Sequence, residues 1–291
     1  MTKPVITQEM INAYDEYTHL TLDRRGFMEK LTKLAGSGAA AAAIAPLLAA
    51  NSASAAIVPE DDDRLKAEDI AYPGEGGEMM GYLVRPADAA GKLGTVIVIH
   101  ENRGLNAHIR DVARRMALEG FVALAPDFLS PAGGTPADED RARTMIGELD
   151  AARTIANEVA TVAFLKGHAE GNGKVGAVGF CWGGKAVNDT AVNAPDLAAG
   201  VAYYGRQAEA EDVPKIRAAL MLHYAGMDER INAGIQAYEA ALKEAGKEFT
   251  VYMYDGAQHA FNNDTSEARY NKEAADLAWG RTVEFFKAKL A

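Results

Sequence analysis

Two kinds of apolar run alternate along most of this chain. Thr95-Val96-Ile97-Val98-Ile99-His100 is continuous and β-branched, the pattern of a strand buried on both faces of a parallel sheet. Ile109 to Glu119 instead places Ile109, Val112, Ala113, Met116 and Ala117 at helical spacing, and Gly120 ends the run. Further strands are predicted over Phe121 to Ala125, Lys174 to Phe180, Ala199 to Tyr204, Leu220 to Tyr224 and Phe249 to Tyr254. Helices are predicted over Arg141 to His168 (interrupted near Gly147), Gly183 to Asn193, Ile231 to Ala245 and Glu267 to Leu290. Asp69 to Tyr72 and Met79 to Arg85 flank the turn Pro73-Gly74-Glu75-Gly76-Gly77 and predict an antiparallel pair. Strands alternating with helices imply an α/β fold: a mostly parallel central sheet with helices on both faces. No internal repeat or linker divides residues 69–291, so one domain is expected there, after a flexible acidic lead-in over 56–68.

The first 55 residues have a different character. Arg24-Arg25 is followed by Gly26-Phe27-Met28-Glu29-Lys30, then by an alanine-rich apolar stretch from Leu34 to Ala50, then by Ala53-Ser54-Ala55. A twin-arginine pair, an apolar run too short for an ordinary span and a small-x-small site, in that order, read as a twin-arginine export signal. Residues 1–55 are expected to be the signal peptide, the export machinery a partner, and the mature protein periplasmic with no stable membrane span. Charges within this segment cancel, so the net charge of −11 falls on the rest of the chain. Such a surface repels nucleic acid, and a small-molecule substrate is expected.

The chain has a single cysteine. It lies in Gly179-Phe180-Cys181-Trp182-Gly183-Gly184, a G-x-C-x-G pattern between a predicted strand and a predicted helix. That context places a nucleophile on a tight turn, where flanking glycines relieve crowding. It also sets the sulfur beside a helix N-terminus, which favours a thiolate and a developing oxyanion. Two other glycine patterns fail as nucleotide sites: Gly171 to Gly176 precedes a strand, and Gly179 to Lys185 is followed by Ala186 where a hydroxyl is needed.

In this arrangement the acid and then the base follow the nucleophile along the chain. His259 lies in a loop between the last strand and last helix, where the base is expected, whereas His223 lies inside an apolar strand and reads as a core residue. Asp228 follows a strand end and suits the role of imidazole partner, or that of a cap for the next helix. Asp255 is the weaker candidate. No metal-ligand cluster is visible, and no cofactor is expected.

These residues resemble the dienelactone hydrolase family of the α/β-hydrolase superfamily, over about Asp69 to Leu290. The specific parts are the elbow with cysteine in place of serine, the Asp228 segment, His259-Ala260-Phe261, and His100-Glu101-Asn102-Arg103-Gly104 after a strand. The resemblance implies hydrolysis of a carboxylic ester or lactone by Cys181, His259 and Asp228 through a thioester. It also implies that Glu101 faces the resting thiol, and that the backbone N–H groups of Trp182 and Asn102 form the oxyanion hole. A family arginine that holds the substrate carboxylate falls at Asn263, which leaves Arg103 and Arg206 as candidates to serve instead. Alternatives are a general carboxylesterase, a non-catalytic binding protein on the same fold, and a redox protein, which would need an external thiol.

Overall fold

The computed structural model describes residues 4–19, 21–49 and 56–291. Its centre is an eight-stranded sheet: β1 (Leu65–Gly74), β2 (Gly77–Pro86), β3 (Leu93–Ile99), β4 (Val122–Asp127), β5 (Gly171–Phe180), β6 (Leu197–Tyr203), β7 (Ala219–Ala225) and β8 (Phe249–Tyr254). The spatial order is β1-β2-β4-β3-β5-β6-β7-β8. β1 and β2 form the expected antiparallel pair, β2 runs antiparallel to β4, and the other neighbours are parallel.

Both faces are covered, as the continuous apolar strands require. Ile109, Val112 and Met116 of one helix and Phe286 and Leu290 of the C-terminal helix pack on one face, with Val96, Val98 and Val178. Val162, Val187 and Leu242 pack on the other, with Ile97, Ala177 and Leu222. Strand order reverses at β3, which lies between β4 and β5. A crevice opens beyond the carboxyl ends of strands at such a reversal, the usual place for a ligand. Here it brings His100 to Arg103, after β3, next to Cys181, after β5.

Several predicted boundaries shift, for local reasons. β1 begins at Leu65, not Asp69, because it stays in register with β2 as far as Pro86. The lead-in is tied down at one point: Val58 is buried, and the Ile57 and Val58 N–H groups donate to Asp111 at 3.1 and 2.8 Å. The helix expected over Ile231 to Ala245 is two pieces, Glu229–Asn232 and Ile235–Glu244. Gln207 intrudes at the break, donating to the Ile231 carbonyl at 3.1 Å and leaving no room for a Cβ at Gly234. The last helix starts at Lys272, capped by Asn271, and not at Glu267, because residues 261–271 fold into turns.

The N-terminal segment is three helices: α1 (Gln8–Thr18), α2 (Arg24–Ala35) and α3 (Gly38–Leu48), each capped by a Thr, Asp or Ser side chain. Met10, Tyr14, Tyr17, Phe27, Leu31, Ile44 and Leu48 form its small core, with Ala268 of the α/β domain against it. No single helix among the described residues is long and apolar enough to cross a membrane; α2 and α3 together have the composition, but the pair bends by 113°. The expected cleavage site, Ala53-Ser54-Ala55, lies outside the described residues.

Asp111 links the lead-in to the domain. It is buried and bonds two backbone N–H groups, Arg115, and more distantly the fully buried Arg114. Asp111→Asn should destabilise the protein by about 3 kcal/mol, because buried cations then lose their counter-charge. The urea midpoint should fall at unchanged slope; a shift under about 0.5 kcal/mol would mean that the network contributes little.

Candidate active site

The elbow is built by close backbone approach. Cys181 sits at φ 56°, between β5 and the helix Trp182–Asn193. A Cβ on Gly179 would lie 2.0 Å from the Gly183 carbonyl oxygen, and one on Gly183 would lie 2.5 Å from the Ile99 carbonyl oxygen. The glycines therefore let the helix start directly against β5 and β3. Two other non-glycine residues have positive φ, Tyr204 at 40° and Ala260 at 64°, and both flank the same crevice. Backbone strain of this kind collects where the surroundings hold side chains in place for function.

His259 and Asp228 meet as expected. Asp228 Oδ2 lies 2.5 Å from His259 Nδ1, while its Oδ1 accepts the Ile231 N–H at 3.2 Å. The carboxylate is thus both imidazole partner and helix cap. Nδ1 is committed to Asp228, and the buried Nε2 has no hydrogen-bond partner among the described residues. Tyr204 packs on the His259 ring with centroids 5.0 Å apart. Asp255 is exposed, and His223 is a core residue held by Thr282 at 3.2 Å and Tyr254 at 2.9 Å.

The thiol differs from expectation in its neighbours. Its hydrogen-bond partner is His19 Nε2, at 3.5 Å, from just beyond α1. The sulfur and a ring nitrogen of each of His19 and His259 lie within 4.8 Å of one another. Glu101 lines the same small cavity, but Oε2 accepts a 2.7 Å hydrogen bond from Asn263 Nδ2. Asn263 is buried, and its Oδ1 is also taken, by the Thr265 N–H and hydroxyl. It orients Glu101. Arg103 is buried and bonded to Glu139 at 2.9 Å and to the Tyr14 hydroxyl. Arg206 is exposed, reaches Glu209 at 3.3 Å, and lines the main cavity.

That cavity, of about 200 Å³, has Cys181, Trp182, Tyr204 and His259 at its floor. Arg143, Lys185, Arg206 and Arg230 line it, with no carboxylate among the lining residues. Arg143, Lys185 and Arg206 are paired with Asp140, Asp189 and Glu209 behind the lining, and Arg230 bonds the His19 ring, so the cavity wall itself presents cationic groups. Sequence reading missed His19, Arg143, Lys185, Tyr204 and Arg230. Trp182 stacks on His100 with centroids 5.2 Å apart, which fixes the ring beside the nucleophile.

Burial alone pushes the Cys181 thiol up, but the neighbouring His259 and His19 imidazoles outweigh it and bring the thiol down to about 6. Burial pushes His259 down, but the thiolate and the Asp228 carboxylate outweigh that and raise it to about 10. Between these values the stable form is a thiolate–imidazolium pair. Burial raises Asp228 and His259 lowers it, with a net lowering.

Comparison with known proteins gives the chain a family. The sequence profile of the dienelactone hydrolase family matches residues 79–290. A protein of Escherichia coli (strain K12) that carries the name carboxymethylenebutenolidase is 32% identical over 246 residues, 79% of this chain and 90% of its own. One from Salmonella typhi with the same name is 31% identical over 270 residues, 88% of this chain and 96% of its own. The latter match extends upstream of residue 56, into the N-terminal segment. The crystal structure of a Klebsiella pneumoniae subsp. pneumoniae protein described as a dienelactone hydrolase superposes with a TM-score of 0.70 at 28% identity, covering 77% of this chain and 98% of that one.

Since the thiolate is lost only as pH falls through about 6, iodoacetamide should label Cys181 at pH 6.5 no more than about fourfold slower than at pH 8.5. An ordinary thiol slows by about fifty-fold over that interval. The single cysteine makes the labelling specific. A fifty-fold fall would mean that the imidazoles do not hold the thiolate.

Proposed function

The chain belongs to the dienelactone hydrolase family and is a hydrolase of the carboxylic ester or lactone type, and on that premise we propose that it works by a Cys181-His259-Asp228 triad through a thioester. The observation that carries this reading is the His259–Asp228 bond at 2.5 Å, with the free Nε2 buried beside a thiol of lowered pKa. The thiolate attacks the ester or lactone carbonyl carbon, and the carbonyl oxygen becomes an oxyanion. Trp182, as the first residue of its helix, has a backbone N–H with no intrahelical acceptor, and with the Asn102 N–H it would meet that oxyanion. Collapse breaks the carbonyl-carbon to ring-oxygen bond, and His259 Nε2 gives its proton to the leaving oxygen. A water then loses a proton to His259 and attacks the thioester, releasing the acid and the thiolate. Glu101, oriented by Asn263, lines the small cavity beside the sulfur.

The cationic cavity supports a substrate that carries a carboxylate away from the reacting carbonyl, met by Arg206, Arg143 and Arg230 in place of the family arginine absent at Asn263. The test is turnover of dienelactone, neutral lactones and p-nitrophenyl esters. Cys181→Ala, His259→Ala and Asp228→Asn should each lower kcat by at least about a hundredfold, with double variants little worse than single ones, as for groups acting as a unit. Undiminished turnover in Cys181→Ala would end the thioester reading.

Export by the twin-arginine route, to a periplasmic location, also belongs to this reading. What supports it is that Arg24 and Arg25 open α2 with side chains 80% and 88% exposed, within reach of a receptor even when the chain is folded. Replacing both arginines with lysine should leave the protein in the cytoplasmic fraction; unchanged periplasmic yield would exclude this route.

A further inference from the structure

The catalytic domain receives the N-terminal segment through buried charged side chains. Arg269 is 6% exposed, lies 3.3 Å from Asp15 and stands over the Tyr14 ring at 5.0 Å. Arg143 is 7% exposed and lies 3.8 Å above the Tyr17 ring. Arg103, equally buried, bonds the Tyr14 hydroxyl. Asn102, next to the proposed oxyanion hole, donates to the Thr18 carbonyl at 2.6 Å. Removing α1 would strip partners from three guanidinium groups at once.

These contacts end at His19, and its ring is fixed from both ends. Nδ1 lies 2.7 Å from the Asp15 carbonyl, an acceptor only, so Nδ1 carries a proton. Nε2 then faces the nucleophile at 3.5 Å and takes a 2.8 Å hydrogen bond from Arg230. The ring meets His259 edge-on, with centroids 4.8 Å apart. Thr18 and His19 also line the open cavity beside Cys181, so the segment forms a wall of the pocket and does not fill it.

Resting on the triad reading above, we propose that His19 is a further active-site residue: a second imidazole on the Cys181 sulfur, delivered by the N-terminal helices, which makes residues 8–48 part of the working enzyme. With Nδ1 bonded to the Asp15 carbonyl, Nε2 turns its lone pair towards the Arg230 N–H and the Cys181 sulfur, and the ring holds the sulfur at the mouth of the cavity. The charged groups facing His19 are Asp15 and Glu16 from α1, Asp228, Glu229 and Arg230 after β7, and His259 after β8. A segment serving only as an export address needs none of this geometry.

The test uses the full chain with His19→Ala and His19→Gln, Cys181→Ala beside them, and two readouts: p-nitrophenyl acetate turnover and iodoacetamide labelling against pH. His19→Ala should lower kcat at least about tenfold with KM little changed, and should slow labelling at pH 6.5 relative to pH 8.5 by at least about fivefold beyond the wild-type ratio. His19→Gln, which keeps a polar side chain of similar reach without the imidazole, should recover part of the turnover and none of the low-pH labelling. Turnover and labelling within about twofold of wild type in both variants would overturn the proposal, as would a rise in turnover, which would make the segment a cover. Turnover surviving in Cys181→Ala would defeat the triad reading instead, while the labelling profile would still report what His19 does to the thiol.

Discussion

The approach of two backbones at the elbow is the constraint on which the rest of the structure depends. Cys181 can present its sulfur at the crevice only because the chain turns from strand to helix in one residue, at positive φ. That turn needs Gly179 against Gly183, Gly183 against the end of β3, and Gly184 within reach of the Tyr203 carbonyl at the end of β6. Three neighbouring strands are thereby locked to one helix N-terminus. The strand reversal at β3 then supplies the Glu101 side, and the loop after β8 supplies His259 opposite. Without the glycines the sulfur would be an ordinary buried thiol.

Charge at the site runs against the charge of the protein. The chain carries −11, yet the cavity beside Cys181 is lined by three arginines and a lysine. A buried thiolate in such an acidic molecule needs compensation close at hand, because distant charges are screened. His259 supplies it, held by a carboxylate that sits on the far side of the ring. His19 and Arg230 extend the positive surface outward to the mouth.

Much of this was legible in the sequence, and the exceptions have physical reasons. The strands were legible because burial on both faces makes apolar runs continuous; the elbow was legible because its geometry admits only glycine. Asp228 read equally as a cap or as an acid partner, and it is both, since a carboxylate has two oxygens and each meets a different donor. The break at Gly234 was not legible, because it depends on Gln207, distant in sequence, entering the helix. Tyr204 and Arg230 follow strands with no motif of their own. Asn263 sits where a family arginine is expected, but its buried amide serves Glu101, a bond that no motif announces. His19 lies 162 positions from Cys181, in a stretch whose composition reads as an address, and no spacing rule links the two.

The N-terminal segment has a packed face and a solvent face. Phe27 and Leu31 of α2 are buried with Tyr14 and Tyr17 of α1, while Arg24 and Arg25 project into solvent. The inward face packs on the enzyme, where it carries tyrosines and an aspartate onto three buried arginines. A purely transient leader has no use for such a fit, because ordering its side chains costs conformational entropy that only persistent contacts offset. The fit therefore argues that the segment stays with the domain, and that His19 meets the sulfur as the end point of that packing.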